Sequence, residues 1–130
     1  MKKPKRRFAP PPKPAENPRA QALARRAATL ALDKKALEVV ILDVRGKTSY
    51  ADYVVVASGE SERQVSATAE HIREQLKATG TTPIGSEGYE TGHWVLLDYG
   101  EVVVHVFYTE ARAFYDLEGL WSDAPREQVA

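Results

Sequence analysis

The amino-acid sequence predicts an α/β fold, a mixed sheet of about five strands packed with helices. Segments with helical spacing of apolar residues alternate with runs of β-branched residues, which is typical of this class. The runs EVVILDV (38–44) and YVVVAS (53–58) are apolar at successive positions, which predicts strands covered on both faces. In WVLLD-YG-EVVVHVF, the dipeptide Tyr99-Gly100 predicts a tight hairpin between two more strands.

The first two helices have start signals of their own. Asn17 before Pro18 predicts a helix beginning there, because Asn accepts backbone N–H bonds and Pro is tolerated in a first turn. Ser61 with Gln64 three residues later is a capping-box pattern, and it predicts a second helix to about residue 79.

Thr109 is a candidate N-cap residue and predicts a last helix that begins after it. We expect Phe114 and Leu117 of this helix to face the core, and Gly119 to end it. A short edge strand is expected around residues 83–84. The predicted order is therefore α-β-β-α-(β)-β-β-α.

Charge and proline divide the chain into unequal parts. Residues 1–26 carry nine Lys or Arg and one acid, a net charge of +8, and residues 27–130 carry −8. Six of the eight prolines lie in the first 18 residues, where they block helix and sheet. The predicted organisation is a disordered basic arm (1–17), a domain (18–122) and a flexible tail (123–130). The arm is either a solubilising tail or a segment that binds RNA phosphates.

Composition and spacing exclude several classes of site. With no cysteine, the chain has no disulfide, thiol nucleophile or Cys-ligated metal. The three histidines lack the spacing of a helical metal pair, and no phosphate-loop or dinucleotide pattern occurs. We therefore expect no catalytic residue, no metal and no cofactor. No apolar run is long enough to span a membrane, and the start does not read as a secretory signal.

The predicted hairpin separates two sets of side chains. A two-residue loop places Asp98 opposite Glu101 and Trp94 opposite His105. One face is then purely aliphatic and belongs to the core: Val95, Leu97, Val102, Val104 and Val106. The other face combines an apolar centre with acids and an imidazole: Trp94, Leu96, Asp98, Glu101, Val103 and His105. This second face is either a binding surface or a face covered by another helix.

Several segments resemble one known family. They are ADY followed by a strand and SGxSxRQV, then WVLLDYGxVVVHVF, and finally FYxLExLW. These blocks closely resemble the ribosomal silencing factor family (RsfS, also called Iojap), and the resemblance runs from about residue 20 to residue 121. The basic arm and the last residues lie outside it.

The resemblance implies a non-catalytic cytoplasmic factor with a nucleotidyltransferase-like fold that lacks the catalytic carboxylates. Such a factor binds the large ribosomal subunit through ribosomal protein number fourteen, on the face that meets the small subunit. It thereby blocks subunit association and represses translation, and some members are homodimers when free. The alternative is an RNA-binding accessory or ribosome-assembly module that uses the basic arm.

The resemblance also implies a set of partner-binding residues. The family's ribosome-facing surface corresponds here to Trp94, Leu96, Asp98 and Tyr99. Glu101 and His105 join this set because the predicted hairpin places them beside it. A further block, Tyr50, Asp52 and Tyr53, is expected to position the entry of a strand.

Overall fold

The computed structural model describes residues 14–130, in which a central sheet separates two long helices from a short C-terminal segment. The elements are α1 (Pro18–Asp33), β1 (Leu37–Asp43), β2 (Tyr53–Gly59), α2 (Glu62–Ala78), β3 (Gly85–Glu87), β4 (Trp94–Asp98), β5 (Val102–Tyr108), α3 (Thr109–Tyr115), a 3₁₀ helix (Leu117–Trp121) and β6 (Arg126–Gln128). The strand order is β3-β4-β5-β2-β1-β6. Only β2 and β5 run parallel, and every other neighbouring pair in this described part of the chain is antiparallel.

The mixed α/β class is confirmed, but the expected count of about five strands is one too low. The sixth strand is β6, which pairs with β1 through Val40 opposite Gln128. It lies inside residues 123–130, where the sequence predicts a flexible tail. Its three residues are polar and exposed, so no β-branched run identifies it. The relation to the nucleotidyltransferase fold stays a prediction, and residues 1–13 of the predicted arm lie outside the described residues.

Side-chain caps start the two long helices as predicted. The Asn17 side chain accepts the N–H of Ala20 at 3.2 Å, and Ser61 Oγ accepts the N–H of Gln64 at 3.0 Å. The predicted cap of the last helix is wrong, because α3 begins one residue earlier at a position without a side-chain cap. This helix also ends before Gly119, since Asp116 adopts a left-handed conformation with φ of 45°.

The aliphatic face of the hairpin is buried as predicted. It packs beneath α1 and α2 in a core that includes Ala27, Leu30, Val65, Ile72 and Leu76. The five aliphatic side chains of that face, Val95, Leu97, Val102, Val104 and Val106, are completely buried. Most of the buried positions of helix α1 are alanines, which lets the helix approach the sheet closely.

The predicted register of the hairpin is wrong by two residues. Asp98 pairs with Val103 and Trp94 pairs with Phe107, and the Tyr99 N–H donates to the Val102 carbonyl at 2.8 Å. The turn is therefore centred on Gly100-Glu101, one residue further along the chain than predicted. Asp98 Oδ1 accepts the N–H of Gly100 at 2.8 Å, which stabilises this turn. Because side chains alternate along a strand, a shift of two residues leaves each on its predicted face. The shift removes Glu101 from the strand.

The second side of the sheet has a smaller core with a buried histidine. Val54, Val56, Val103 and Phe107 belong to this core, and Trp94, Leu117 and Trp121 pack against it. His105 is only 1% exposed, and its Nδ1 accepts the indole N–H of Trp94 at 3.0 Å. Its ring is therefore a neutral acceptor, and burial lowers the pKa of His105 to about 4.

Arg112 links the C-terminal segment to the sheet. It is the only buried residue of α3 and donates to the Glu38 carbonyl at 2.7 Å and to Ser58 Oγ at 2.8 Å. It also donates to both carboxylate oxygens of Glu118 in the 3₁₀ helix, at 2.9 and 3.1 Å. The Glu38 carbonyl is accessible because β1 has an irregular register there, with φ of 46° at Glu38. One side chain thus joins α3, the 3₁₀ helix, β1 and β2.

Replacing Arg112→Ala should lower the free energy of unfolding by about 3 kcal/mol, because it leaves the Glu118 carboxylate without its main partner in a largely buried position. Urea denaturation measures the change. Arg63→Ala, at an exposed position of α2, is the matched control and should stay within about 0.5 kcal/mol of the wild type. Equal effects of the two substitutions would contradict the role given to Arg112.

The stability of the domain should fall as the pH is lowered from 7 to 5. Because the folded state holds the pKa of His105 below its ordinary value of 6.5, the unfolded chain binds the proton more readily in this range. The decrease due to this group is about 2 kcal/mol. Urea denaturation at both pH values measures it. His105→Asn keeps an acceptor for Trp94 but does not titrate. Between pH 7 and 5 this variant should therefore lose about 2 kcal/mol less stability than the wild type loses. An identical pH dependence of the two proteins would refute the assignment to His105.

Candidate partner-binding surface

Four of the six predicted site residues lie on the second side of the sheet. Trp94, Leu96 and Asp98 alternate along β4 and are each half-buried, and His105 lies opposite Leu96 on β5. His105 is buried, so it orients Trp94 and offers no surface of its own. The second face of the hairpin is therefore covered in one part and open in another. Its β5 residues are buried, and its β4 residues are partly exposed.

The other two predicted residues lie elsewhere. Tyr99 packs against the core beneath the helices, and its hydroxyl is buried without a hydrogen-bond partner among the described residues. Burial raises the pKa of Tyr99 to about 12. Glu101 is exposed in the loop, where it accepts from Asn17 and forms an ion pair with Arg19 at 3.4 Å. The structure therefore separates Tyr99 and Glu101 from Trp94.

Trp94 is held on three sides. Its ring lies 4.8 Å from the rings of both Phe107 and Tyr115, measured between centroids. The hydrogen bond to His105 fixes the orientation of the indole. A partly exposed aromatic side chain with a fixed orientation loses little conformational entropy when a partner binds, which suits an anchor residue.

A shallow groove lies beside Trp94. Glu87, Gly88, Trp94 and Leu96 line it, and its volume is about 260 Å³. Gly88 has φ of 95°, and a Cβ atom there would lie 1.9 Å from the carbonyl oxygen of Trp94. A side chain at Gly88 would therefore displace β4 and prevent the close approach of the two segments. The groove depends on this glycine.

Tyr50, in the β1–β2 loop, lies near Asp98 at the end of β4. Burial and the nearby negative charge of Asp98 both raise the pKa of Tyr50. The Tyr50 ring also stacks on Trp121, with 6.2 Å between centroids. Tyr53 and Asp52 occupy the strand entry as expected: Tyr53 is buried in β2, and Asp52 accepts from the side chain of Asn17.

The C-terminal segment exposes apolar side chains, one of which the sequence predicts to face the core. Phe114 is 81% exposed and Leu120 is 71% exposed, so the prediction that Phe114 faces the core is wrong. Phe114 follows the buried Arg112 by two residues, which places it on the opposite face of α3, and the apolar spacing does not show that an arginine takes the buried position. Together with Trp94 these residues form what we call the aromatic surface: Tyr50, Trp94, Leu96, Phe114, Tyr115, Leu120 and Trp121.

Within residues 14–130, no group of three or more His, Asp or Glu side chains is arranged to hold a metal ion. The same residues include no helix of the length and hydropathy needed to cross a bilayer. The second side of the sheet carries a fixed indole, a groove and exposed apolar side chains, which are features common at protein-binding surfaces.

Comparison with known proteins identifies relatives of the whole domain. A family model described as "Ribosomal silencing factor during starvation" matches residues 17–130. Ribosomal silencing factor RsfS of Halalkalibacterium halodurans is 44% identical over 97 residues, which cover 75% of this chain and 83% of that protein. A crystal structure of a protein from Chromobacterium violaceum is similar with a TM-score of 0.78 and 38% identity, covering 85% of this chain and 92% of the other.

A more distant relative comes from mouse. It is 29% identical over 97 residues, covering 72% of this chain and 42% of the mouse protein, which is named mitochondrial assembly of ribosomal large subunit protein 1. The family match extends over the helices, all six strands of the described sheet and the C-terminal segment, well beyond the blocks around β2 and β4. The chain therefore belongs to the ribosomal silencing factor family.

Proposed function

We propose that this chain binds the large ribosomal subunit through ribosomal protein number fourteen and sterically blocks its association with the small subunit. Family membership supports a role at the ribosome. The observation that carries the proposal is Trp94, which is held by Phe107, Tyr115 and His105 yet keeps part of its ring exposed beside a groove. Such an anchor fits an interface centre.

The proposed activity needs no chemistry at the bound site. The domain would act as a binding protein in the cytoplasm, where its own volume occupies the face that the small subunit must reach. The Asp98 carboxylate at the end of β4 would orient the domain toward a basic ribosomal protein and speed the encounter. Repression of translation follows if fewer subunits join.

Replacing Trp94→Ala should weaken binding to purified large subunits by about tenfold or more, because the substitution removes the aromatic anchor from the interface centre. Co-sedimentation through a sucrose cushion measures the bound fraction over a protein titration. Ile84→Ala removes a similarly apolar, exposed side chain at the start of the β3 edge and should bind like the wild type. Circular dichroism checks that both variants are folded.

The same subunits test the anti-association step. Wild-type protein should lower the yield of joined ribosomes on a sucrose gradient, and Trp94→Ala at the same concentration should restore it. Wild-type protein that binds large subunits without lowering the yield of joined ribosomes would contradict steric blocking.

We also propose that the basic N-terminal residues contact ribosomal RNA beside the docking site. Residues 1–13 carry six Lys or Arg and no acid, which suits phosphate binding that depends on salt. Deleting residues 1–13 keeps Asn17, which caps α1. The plot of log affinity against log salt should become shallower by about 0.7 to 0.9 for each phosphate that the shortened chain no longer neutralises. An unchanged slope would identify these residues as a solubilising tail.

A further inference from the structure

The α3–3₁₀ segment (109–121) exposes apolar side chains that neither the core nor β4 uses. Phe114 and Leu120 are 81% and 71% exposed, and among the large apolar residues of the described chain only Ile84, at 78%, is similarly exposed. Single exposed apolar residues are common on protein surfaces and need no explanation. These two are different because both lie in a short segment that packs against the same core as Trp94.

Aromatic contacts join the segment to Trp94. The Phe114 ring lies 5.1 Å from that of Tyr115, and the Tyr115 ring lies 4.8 Å from that of Trp94. Leu120 precedes Trp121, whose ring stacks on Tyr50 at the other end of the segment. Phe114 therefore extends the surface that begins on β4, and Leu120 is adjacent to Trp121, which packs against the same core as Trp94.

The segment is rigidly attached, which matters for a docking surface. Arg112 holds Glu118 through two hydrogen bonds, and Arg126 donates to the same carboxylate at 2.7 Å. Gly119 donates its N–H to the Asp116 carbonyl at 3.0 Å, and a Cβ atom at Gly119 would lie 2.4 Å from an Asp116 side-chain oxygen. Leu120 therefore projects from a tight turn whose position is fixed by ion pairs, and little ordering is required when a partner binds.

The segments that form this surface are mainly acidic, although Arg126 pairs with Glu118 and Lys47 pairs with Asp123 at its edge. Residues 85–123 contain eight Asp or Glu and a single Lys or Arg, which is Arg112. Arg112 is 8% exposed and paired with Glu118, so it presents little positive charge to a partner. Glu110 and Asp116 are exposed on either side of Phe114 in the sequence. An apolar surface with acidic surroundings is complementary to a basic protein surface.

The β4 residues are too few to form the interface alone. A specific interface buries about 800 Å² on each partner, contributed by some 20 residues or more. Trp94, Leu96 and Asp98 are each half-buried within the domain itself, and the groove beside them is small. The rest of the interface area has to come from neighbouring exposed residues. The α3–3₁₀ segment is such a neighbour, because its Tyr115 contacts Trp94 directly.

From these observations we propose that the α3–3₁₀ segment is the second half of the docking surface, with Phe114 and Leu120 inserted into a basic surface of the ribosomal protein. This inference rests on the proposed function, because it names a further part of the same interface. It assigns Phe114 and Leu120 a contact role equal to that of Trp94.

The test measures large-subunit binding of Phe114→Ala, Leu120→Ala and the double variant, with Ile84→Ala as the control and Trp94→Ala as the comparison. Each single substitution should raise Kd about fivefold or more and the double substitution about tenfold or more, while Ile84→Ala leaves Kd unchanged. Both side chains are exposed, so the thermal unfolding midpoint should stay that of the wild type. Glu110→Lys should slow association, with a smaller effect at high salt.

The outcomes separate this inference from the proposed function. If Trp94→Ala weakens binding and the double variant binds like the wild type, the inference is overturned and the proposed function stands. If the wild type itself does not bind large subunits, the proposed function fails.

Two other partners could cover the α3–3₁₀ segment, and a separate measurement detects each of them. Sedimentation equilibrium of the free chain would reveal a second copy: a dimer that Phe114→Ala and Leu120→Ala dissociate, with ribosome binding unchanged, would overturn the inference. Deleting residues 1–13 would reveal the chain's own basic segment. If the double substitution weakens large-subunit binding in the full chain but leaves it unchanged in a chain without residues 1–13, the segment binds the basic residues and not the ribosomal protein, and the inference is likewise overturned.

Discussion

The tether formed by Arg112 is the interaction on which the second side of the sheet depends. Helix α3 has seven residues and the 3₁₀ helix has five, and neither buries an apolar side chain completely. Hydrophobic burial alone therefore gives little reason for this segment to lie in one place. A guanidinium that bonds to the Glu38 carbonyl, Ser58 and Glu118 gives it a position. The packing of Tyr115 on Trp94 is a consequence of that position.

The two sides of the sheet are stabilised by different means. Alanine-rich α1 and amphipathic α2 cover the first side with an apolar core that includes all of the aliphatic face of the hairpin. The second side combines a smaller apolar cluster with polar connections: the indole of Trp94 bonded to His105, and the arginine tether. Polar connections set orientation more precisely than apolar contacts do, since hydrogen bonds are directional. On the proposed docking surface, these polar connections would hold Trp94 and Leu120 in fixed positions.

The sequence predicts those elements of the fold that are set by a strong local pattern of residue types. The caps at Asn17 and Ser61, the buried strands and the division of the hairpin into two faces follow from spacing and residue type. It fails where long-range contacts decide. Strand β6 has no apolar run and exists because β1 offers an open edge, and Phe114 is exposed because Arg112 takes the buried face of α3. Tyr99 lies apart from Trp94 because it continues the alternation of Val95 and Leu97 along β4, onto the side of the sheet that packs against the helices.

The hairpin also bears on how this surface tolerates change over evolution. The register that the sequence suggests and the register that forms differ by two residues, and both place Trp94, Leu96 and Asp98 on the same side. A family member that slips the β4 pairing by two residues would keep its surface, whereas a slip of one would exchange Trp94 with Val95 and bury the anchor. Register changes between relatives should therefore occur in even steps, with the identity of the exposed face inherited across them.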